Sequence, residues 1–353
     1  MNNYQIEKSL ASIAWDVPES VYRADPALSY STLARYEREG FDRLGHLFDQ
    51  VSTPSLTFGS TVDTILTDGW DAFNERFTVL DVNITDSGKD VCKKLVSMHL
   101  PYSSFEEIPE LTVSYAAKEA EFWKADKWDK IRYREVLKTG NVAEYYNALL
   151  HVNKTIISQK EYDDALACVK ALKESPATSG YFADNDDLSP VRRYYQLKFK
   201  ARFDDVDYRV MADLIVVDYE KKIIYPSDLK TSIHTEWNFE ESFRQWQYMV
   251  QSRLYWRVIK ANLMNDPYFK DFKLMDYRFI VANRFTLTPL VWEFPYTQYS
   301  GTLVDEEGKE YRDPFVIGKE LRGYLDLKPQ VPNGISVDGV NIIKCLKPKT
   351  VTT

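Results

Sequence analysis

Between residues 191 and 230 apolar and polar side chains alternate with a period of two. The pattern starts in Gln196-Leu-Lys198-Phe-Lys200-Ala-Arg202 and recurs in 208–218 and 223–230, which are rich in Val, Ile and Tyr. That period places successive side chains on opposite faces and predicts three consecutive strands. The polar stretch Tyr219-Glu-Lys-Lys222 predicts a hairpin between the last two. A two- or a four-residue loop there gives the same register, with Asp213 opposite Asp228.

Before this block the spacing turns helical. A hydroxyl-capped helix is expected from Ser29, another over 58–69 ending at Gly69, and others over 111–126, 141–150 and 159–174, the last stopped by Ser175-Pro176. Residues 82–108 read as irregular and polar, and no repeat is present. After the block come a long helix from about Phe239 to Asn262, strands at 276–284 and 290–297, a loop at 301–313 and a helix at 314–326. A loosely held tail is expected from 328 onward. The expected class is α/β, a mixed sheet with helices packed on it. A mostly helical part, 1–190, precedes a core at 191–327, and the whole forms one compact domain.

Asp213 shares its predicted face with Met211, Ile215 and Val217, where an unpaired carboxylate is costly. Facing Asp228 it would also be repelled, unless a cation lies between the two. Lys230, two residues beyond Asp228, falls on the same face. Two carboxylates make an oxygen-only site suited to magnesium or manganese rather than zinc. An ammonium beside the attacking water completes a set of parts for phosphodiester hydrolysis. Downstream, Tyr248, Gln251 and Tyr255 fall on one helical face. The competing reading is plain: aspartates near hairpins are often turn formers, as expected for Asp218, and Asp-x-Lys alone has little specificity.

Composition narrows the choice. The chain has 353 residues, 44% of them hydrophobic, which is ample for a core. A net charge of −8 argues against coating nucleic acid by charge alone, but not against a local basic surface. Lys198, Lys200 and Arg202 form such a surface, as fitting for a solvated edge strand as for phosphate contact. No apolar run reaches membrane-spanning length, and no basic-then-apolar leader opens the chain, so a cytoplasmic protein is expected. The three cysteines Cys92, Cys168 and Cys345 cannot make a four-cysteine metal site. Neither a Gly-x-Ser-x-Gly elbow nor a Walker loop occurs.

Asp213, then Asp228-Leu229-Lys230-Thr231, then Gln251-x-x-x-Tyr255 resembles the PD-(D/E)xK nuclease superfamily. Within it the chain is most similar to the RecB-like branch, particularly phage and prophage exonucleases of the RecE (exonuclease VIII) type. Leu28-Ser-Tyr-Ser-Thr-Leu33 and Phe58-Gly-Ser-Thr-Val-Asp63 resemble that branch's serine-rich start and its Gly-x-x-x-His helix. The motifs span about residues 28 to 255, with long unmatched intervals.

The resemblance implies a restriction-endonuclease-like core, a mixed central sheet flanked by helices, with one metal-site helix from the N-terminal part. It implies Mg2+ or Mn2+ held by Asp213, Asp228, the Leu229 carbonyl and Asp63, the last where the family usually offers histidine. Lys230 would assist the water, and Gln251 and Tyr255 would support the site. The expected DNA contacts are Lys198, Lys200, Arg202, Thr231 and Tyr248. Many relatives carry an acid on the preceding strand, where this chain has Gln196.

The activity so implied is exonucleolytic digestion of linear duplex ends in phage-type recombination or replication. A ring-shaped homo-oligomer and a single-strand annealing partner belong to the same picture. Two alternatives stand beside it. One is a catalytically inactive nuclease-fold protein for DNA binding or assembly, suggested by Asp63 and Gln196. The other is a structure-specific or sequence-specific endonuclease.

Overall fold

The three-strand block forms as its alternation predicts. The computed structural model describes residues 4–49, 53–122, 129–151, 154–232 and 234–327. In it β1 (Val191–Phe203), β2 (Val206–Asp218) and β3 (Ile223–Thr231) run antiparallel to one another in chain order. The first hairpin turns on Asp204 and Asp205, both with positive φ (46° and 65°), as a two-residue turn matched to strand twist requires. The second uses the four residues between Asp218 and Ile223, and Asp218 Oδ1 accepts the Lys221 N–H at 2.9 Å. Asp218 is thus the turn former expected of it. The β2–β3 ladder pairs Asp218 with Ile223 and continues to Leu214 opposite Ser227. One step further, this register sets Asp213 against Asp228.

Three shorter strands extend the sheet: β4 (Lys273–Leu274), β5 (Arg278–Ala282) and β6 (Leu290–Glu293). The order is β1-β2-β3-β5-β6, with β4 parallel to β3, so the sheet is mixed. Helices α1 (Glu19–Ala24), α2 (Tyr30–Glu39), α3 (Phe239–Gln245), α4 (Tyr248–Met264) and α5 (Pro314–Leu327) accompany it. α2, α4 and α5 pack on one another, α4 lies on β1 and β2, and α5 lies on β2. Phe199, Val210, Ile215, Val217, Leu254, Val258 and Phe279 are buried in the joint core. Gly318 lets α5 approach the Tyr208 ring where a Cβ would have no room. Arg253, fully buried, pairs with Asp313 at 2.7 Å and donates to the Tyr299 carbonyl, which ties the segment before α5 to α4.

One expected helix is two. The periodicity over 239–262 is continuous, but the chain breaks at Trp246-Gln247, where Gln247 takes φ 57°. The Trp246 carbonyl accepts the Tyr30 hydroxyl at 2.6 Å, a long-range bond that no local pattern announces. The expected strands at 276–284 and 290–297 are shorter than their apolar runs, and the expected loop at 301–313 contains a small hairpin, Leu303–Val304 with Glu310–Tyr311.

The chain divides into two compact units. One comprises Met1–Val51, Pro176–Val281 and Pro289–Thr353, the other Ser52–Ser175 and Ala282–Thr288. The sheet unit therefore includes N-terminal segments as well as 191–327. The second unit is mostly helical. The stretch 82–108, expected to be irregular, holds the helix Asp86–Ser97. Thr85 Oγ1 caps it by accepting the Gly88 N–H at 3.2 Å, and it buries Val91, Cys92 and Leu95. Lysines between those positions hide the helical period. Over the expected 58–69 helix, the chain forms Pro54–Asp63, a π turn Thr64–Asp68, and a new helix from Gly69, whose φ is 86°. The helix expected at 111–126 is Glu110–Glu119, and its last positions lie outside the described residues. So do Cys345 and the whole of the expected tail from 328 onward. No described helix is long and apolar enough to cross a membrane.

Candidate functional site

Asp228 is the centre of the site. It stands near the end of β3, only 2% exposed, where strand geometry alone would favour an apolar residue. Two features compensate its burial, and a third, a like charge, opposes it. Gln251 of α4, itself buried, donates Nε2 to Asp228 Oδ1 at 2.5 Å. Lys230, on the same strand face, sets its ammonium 2.5 Å from Asp228 Oδ2. That approach lies off the hydrogen-bond direction, since Oδ2 has no hydrogen-bond partner among the described residues. Finally, the facing strand brings Asp213, whose Oδ2 accepts the Leu229 N–H at 3.0 Å.

Burial works against the charge on Lys230. The carboxylate of Asp228, with Tyr248 and Asp213 behind it, outweighs that penalty and holds the ammonium above its ordinary range. The Lys230 nitrogen also lies 4.6 Å from the centre of the Tyr248 ring, a cation–π contact. Tyr248 is fixed in turn by stacking on Phe239 and Phe279, at 5.8 and 5.6 Å.

Several buried phenols feel the charge of the carboxylates. Burial pushes Tyr255 far above its usual range, and the negative charges of Asp228 and Asp213 add to the effect. Tyr277 is raised in the same way, and its ring meets that of Tyr255 edge-on at 5.8 Å. Burial lifts Tyr22 to about 12, against the pull of Arg209. Tyr277 and Tyr22 were not legible as site residues. In a chain with 24 tyrosines, only the tertiary fold tells which ones face the acids.

The other candidate positions separate into groups. Gln196 falls opposite Asp213 in the β1–β2 register, between the pairs Tyr195–Leu214 and Leu197–Ala212, and its φ of 53° interrupts the strand geometry there. Lys200 pairs with Asp25 at 2.8 Å and sits 5.2 Å over the Trp15 ring. Arg202 pairs with Asp207 at 3.1 Å. Lys198 makes no ion pair among the described residues. Thr231 ends β3, half-buried. Asp63 belongs to the second unit, as the last residue before the π turn.

The donors suit a small hard cation. Asp213, Asp228 and the Leu229 carbonyl offer only oxygen, and Asp228 Oδ2, which accepts no hydrogen bond among the described residues, is neutralised by the Lys230 ammonium 2.5 Å away. Among the described residues, no group of three or more His, Cys, Asp or Glu converges on one point. Two carboxylates alone would leave most of such an ion's coordination to water and substrate.

No family model and no curated protein matches this chain. Among solved structures it is similar to a Eubacterium rectale protein named "Putative exonuclease", with a TM-score of 0.31 and 11% identity over 79% of this chain and 88% of that one. A likeness of that size establishes neither a shared fold nor a shared activity.

Proposed function

We propose that the protein is a metal-dependent deoxyribonuclease, an exonuclease acting on linear DNA ends. The observation that carries this reading is the meeting of Asp228, Lys230 and Gln251 at a strand end whose register brings up Asp213. When bound, Mg2+ or Mn2+ supplies a lowered water pKa and a polarised phosphorus–oxygen bond. Asp213 and Asp228 would hold the ion together with the Leu229 carbonyl. Gln251 keeps Asp228 from rotating away. Lys230, charged across the neutral range, orients the attacking water and offsets the charge that grows on the phosphate. The attacking water gives up its proton to solvent, and the leaving oxygen takes one from solvent. The setting the motifs suggest is end resection in phage-type recombination or replication, with a ring-shaped oligomer and an annealing protein as companions.

The test is digestion of end-labelled linear duplex in magnesium by wild type, Asp228→Asn and Lys230→Met. Loss of at least about 100-fold is expected for each, the size typical of removing one electrostatic contributor. Equal digestion by all three sinks the proposal. Covalently closed circles should survive, and their cleavage would point to an endonuclease.

A second reading, a nuclease-fold DNA-binding protein without chemistry, draws on one observation. Gln196 stands across from Asp213, where an acid would have strengthened a cation site. Calorimetric titration with manganese separates the two, because the inactive scaffold binds none up to millimolar ion.

A further inference from the structure

We propose that Trp246, with Arg38 beside it, is a stacking platform for an unpaired nucleotide at the DNA end, at the rim of the Asp228–Lys230 site. The inference rests on the nuclease reading for its substrate, though not for its geometry.

Trp246 is 42% exposed. Its backbone, by contrast, is firmly held. The Trp246 N–H donates to the Ser242 carbonyl at 3.0 Å, and its own carbonyl accepts the Tyr30 hydroxyl at 2.6 Å. The next residue, Gln247, takes a left-handed conformation that a side chain other than glycine adopts at a cost. An indole that is exposed while its main chain is pinned by a long-range bond and a strained neighbour is a presented surface, not a frayed end.

Its neighbourhood supplies the polar half of nucleotide recognition. The Arg38 guanidinium lies 5.6 Å from the Trp246 ring centre. Arg38 is exposed and has no carboxylate partner among the described residues, unlike Arg202 or Arg312. Its charge also reaches inward. Burial raises the phenols of Tyr30 and Tyr248, and the positive charges of Lys230 and Arg38 partly offset that rise at both. The tyrosine rings are 6.2 Å apart; Lys230 lies over Tyr248, and Tyr30 bonds the main chain of Trp246, the residue over whose ring Arg38 lies. From the site outward, the order is Asp228, Lys230, Tyr248 with Tyr30, then Arg38 with Trp246.

A strand entering at Lys230 and running outward past Tyr248 and Tyr30 would meet Arg38 with a phosphate and the indole with an unpaired base. Base–aromatic stacking tolerates any sequence, since every base has a π-face, but it requires an unstacked base. The platform therefore selects single-stranded or frayed termini over fully paired ones.

The experiment uses the full chain in EDTA, so that no hydrolysis occurs. The probe is a single-stranded oligonucleotide with 2-aminopurine at its terminal position, whose fluorescence reports stacking. Wild type should quench it, Trp246→Ala should lose quenching and bind about tenfold more weakly, and Trp246→Phe should recover most of both. Arg38→Gln should weaken binding and flatten its salt dependence while leaving part of the quenching. No quenching by wild type, or equal affinity of Trp246→Ala and wild type, overturns the proposal. If Asp228→Asn digests duplex like wild type while Trp246→Ala loses quenching, the nuclease reading fails and the stacking site stands.

Discussion

A lysine beside a buried aspartate is costly to assemble and more costly to break. With Asp228 2% exposed and the Lys230 side chain 18% exposed, removing the ammonium leaves a buried carboxylate with only Gln251 for support. Lys230→Met should therefore lower stability by about 3 kcal/mol, and Asp228→Asn added to it should restore much of that loss. Denaturant melts of both variants check this, and additive losses would refute the pairing. Magnesium should raise the melting temperature of Lys230→Met more than that of wild type, since the ion replaces the missing charge. The sign of the pH effect follows from the raised Lys230 pKa. The pair's contribution is complete below the unfolded-state pKa of about 10.4 and is lost only as pH climbs through the higher folded value. A rate profile between neutral pH and pH 9 should show no limb from Lys230. The alternation Asp228-x-Lys230 was readable in the chain, because a strand puts both on one face whatever surrounds it. The burial of Tyr277 near these charges was not, because it depends on packing between distant segments.

At the scale of elements, β1 shows why a charge pattern underdetermines function. Lys198, Lys200 and Arg202 alternate as a DNA-binding strand would, yet the fold commits Lys200 to Asp25 and Arg202 to Asp207. Lys198→Ala should reduce the slope of log affinity for DNA against log salt by about one, and Lys200→Ala should leave it nearly unchanged. Lys200→Ala should instead act on stability. Burial disfavours the Asp25 carboxylate, but the hydrogen bonds from Lys200 and the Ala27 N–H outweigh it and lower its pKa. A lowered acid contributes stability above its unfolded pKa, and the contribution fades as pH falls through the folded value. The acid limb of the wild-type melting curve should thus be shallower in Lys200→Ala. The hairpin register was legible, since the polar loop and the apolar alternation agree on it. The interruption at Trp246-Gln247 was not, because the Tyr30 hydroxyl that caps it comes from a segment some 200 residues away in the chain.

The whole molecule is two units of unequal continuity. The sheet unit collects three separate stretches of chain, whereas the helical unit is nearly one stretch, 52–175. The helical unit has a core of its own, with Val91, Cys92, Leu95, Val113, Ala116, Ala117, Val136 and Tyr146 all buried. A fragment spanning 53–175 should therefore fold alone, with helical circular dichroism and a cooperative melt. A broad, featureless transition would show that its core depends on the rest of the chain. A fragment spanning 191–327 should not fold, because Leu10, Leu28, Leu33 and Tyr36 complete the sheet unit's core from the N-terminal stretch.

The sequence by itself determined what is periodic and local: three antiparallel strands, their register, and the shared face of Asp228 and Lys230. Backbone geometry enforces those relations within a few residues. Only the tertiary structure decided which cations are already paired, where the long helix breaks, and which N-terminal segments join the sheet. Each of these depends on contacts between residues far apart in the chain, and such contacts are set by how whole apolar faces find one another.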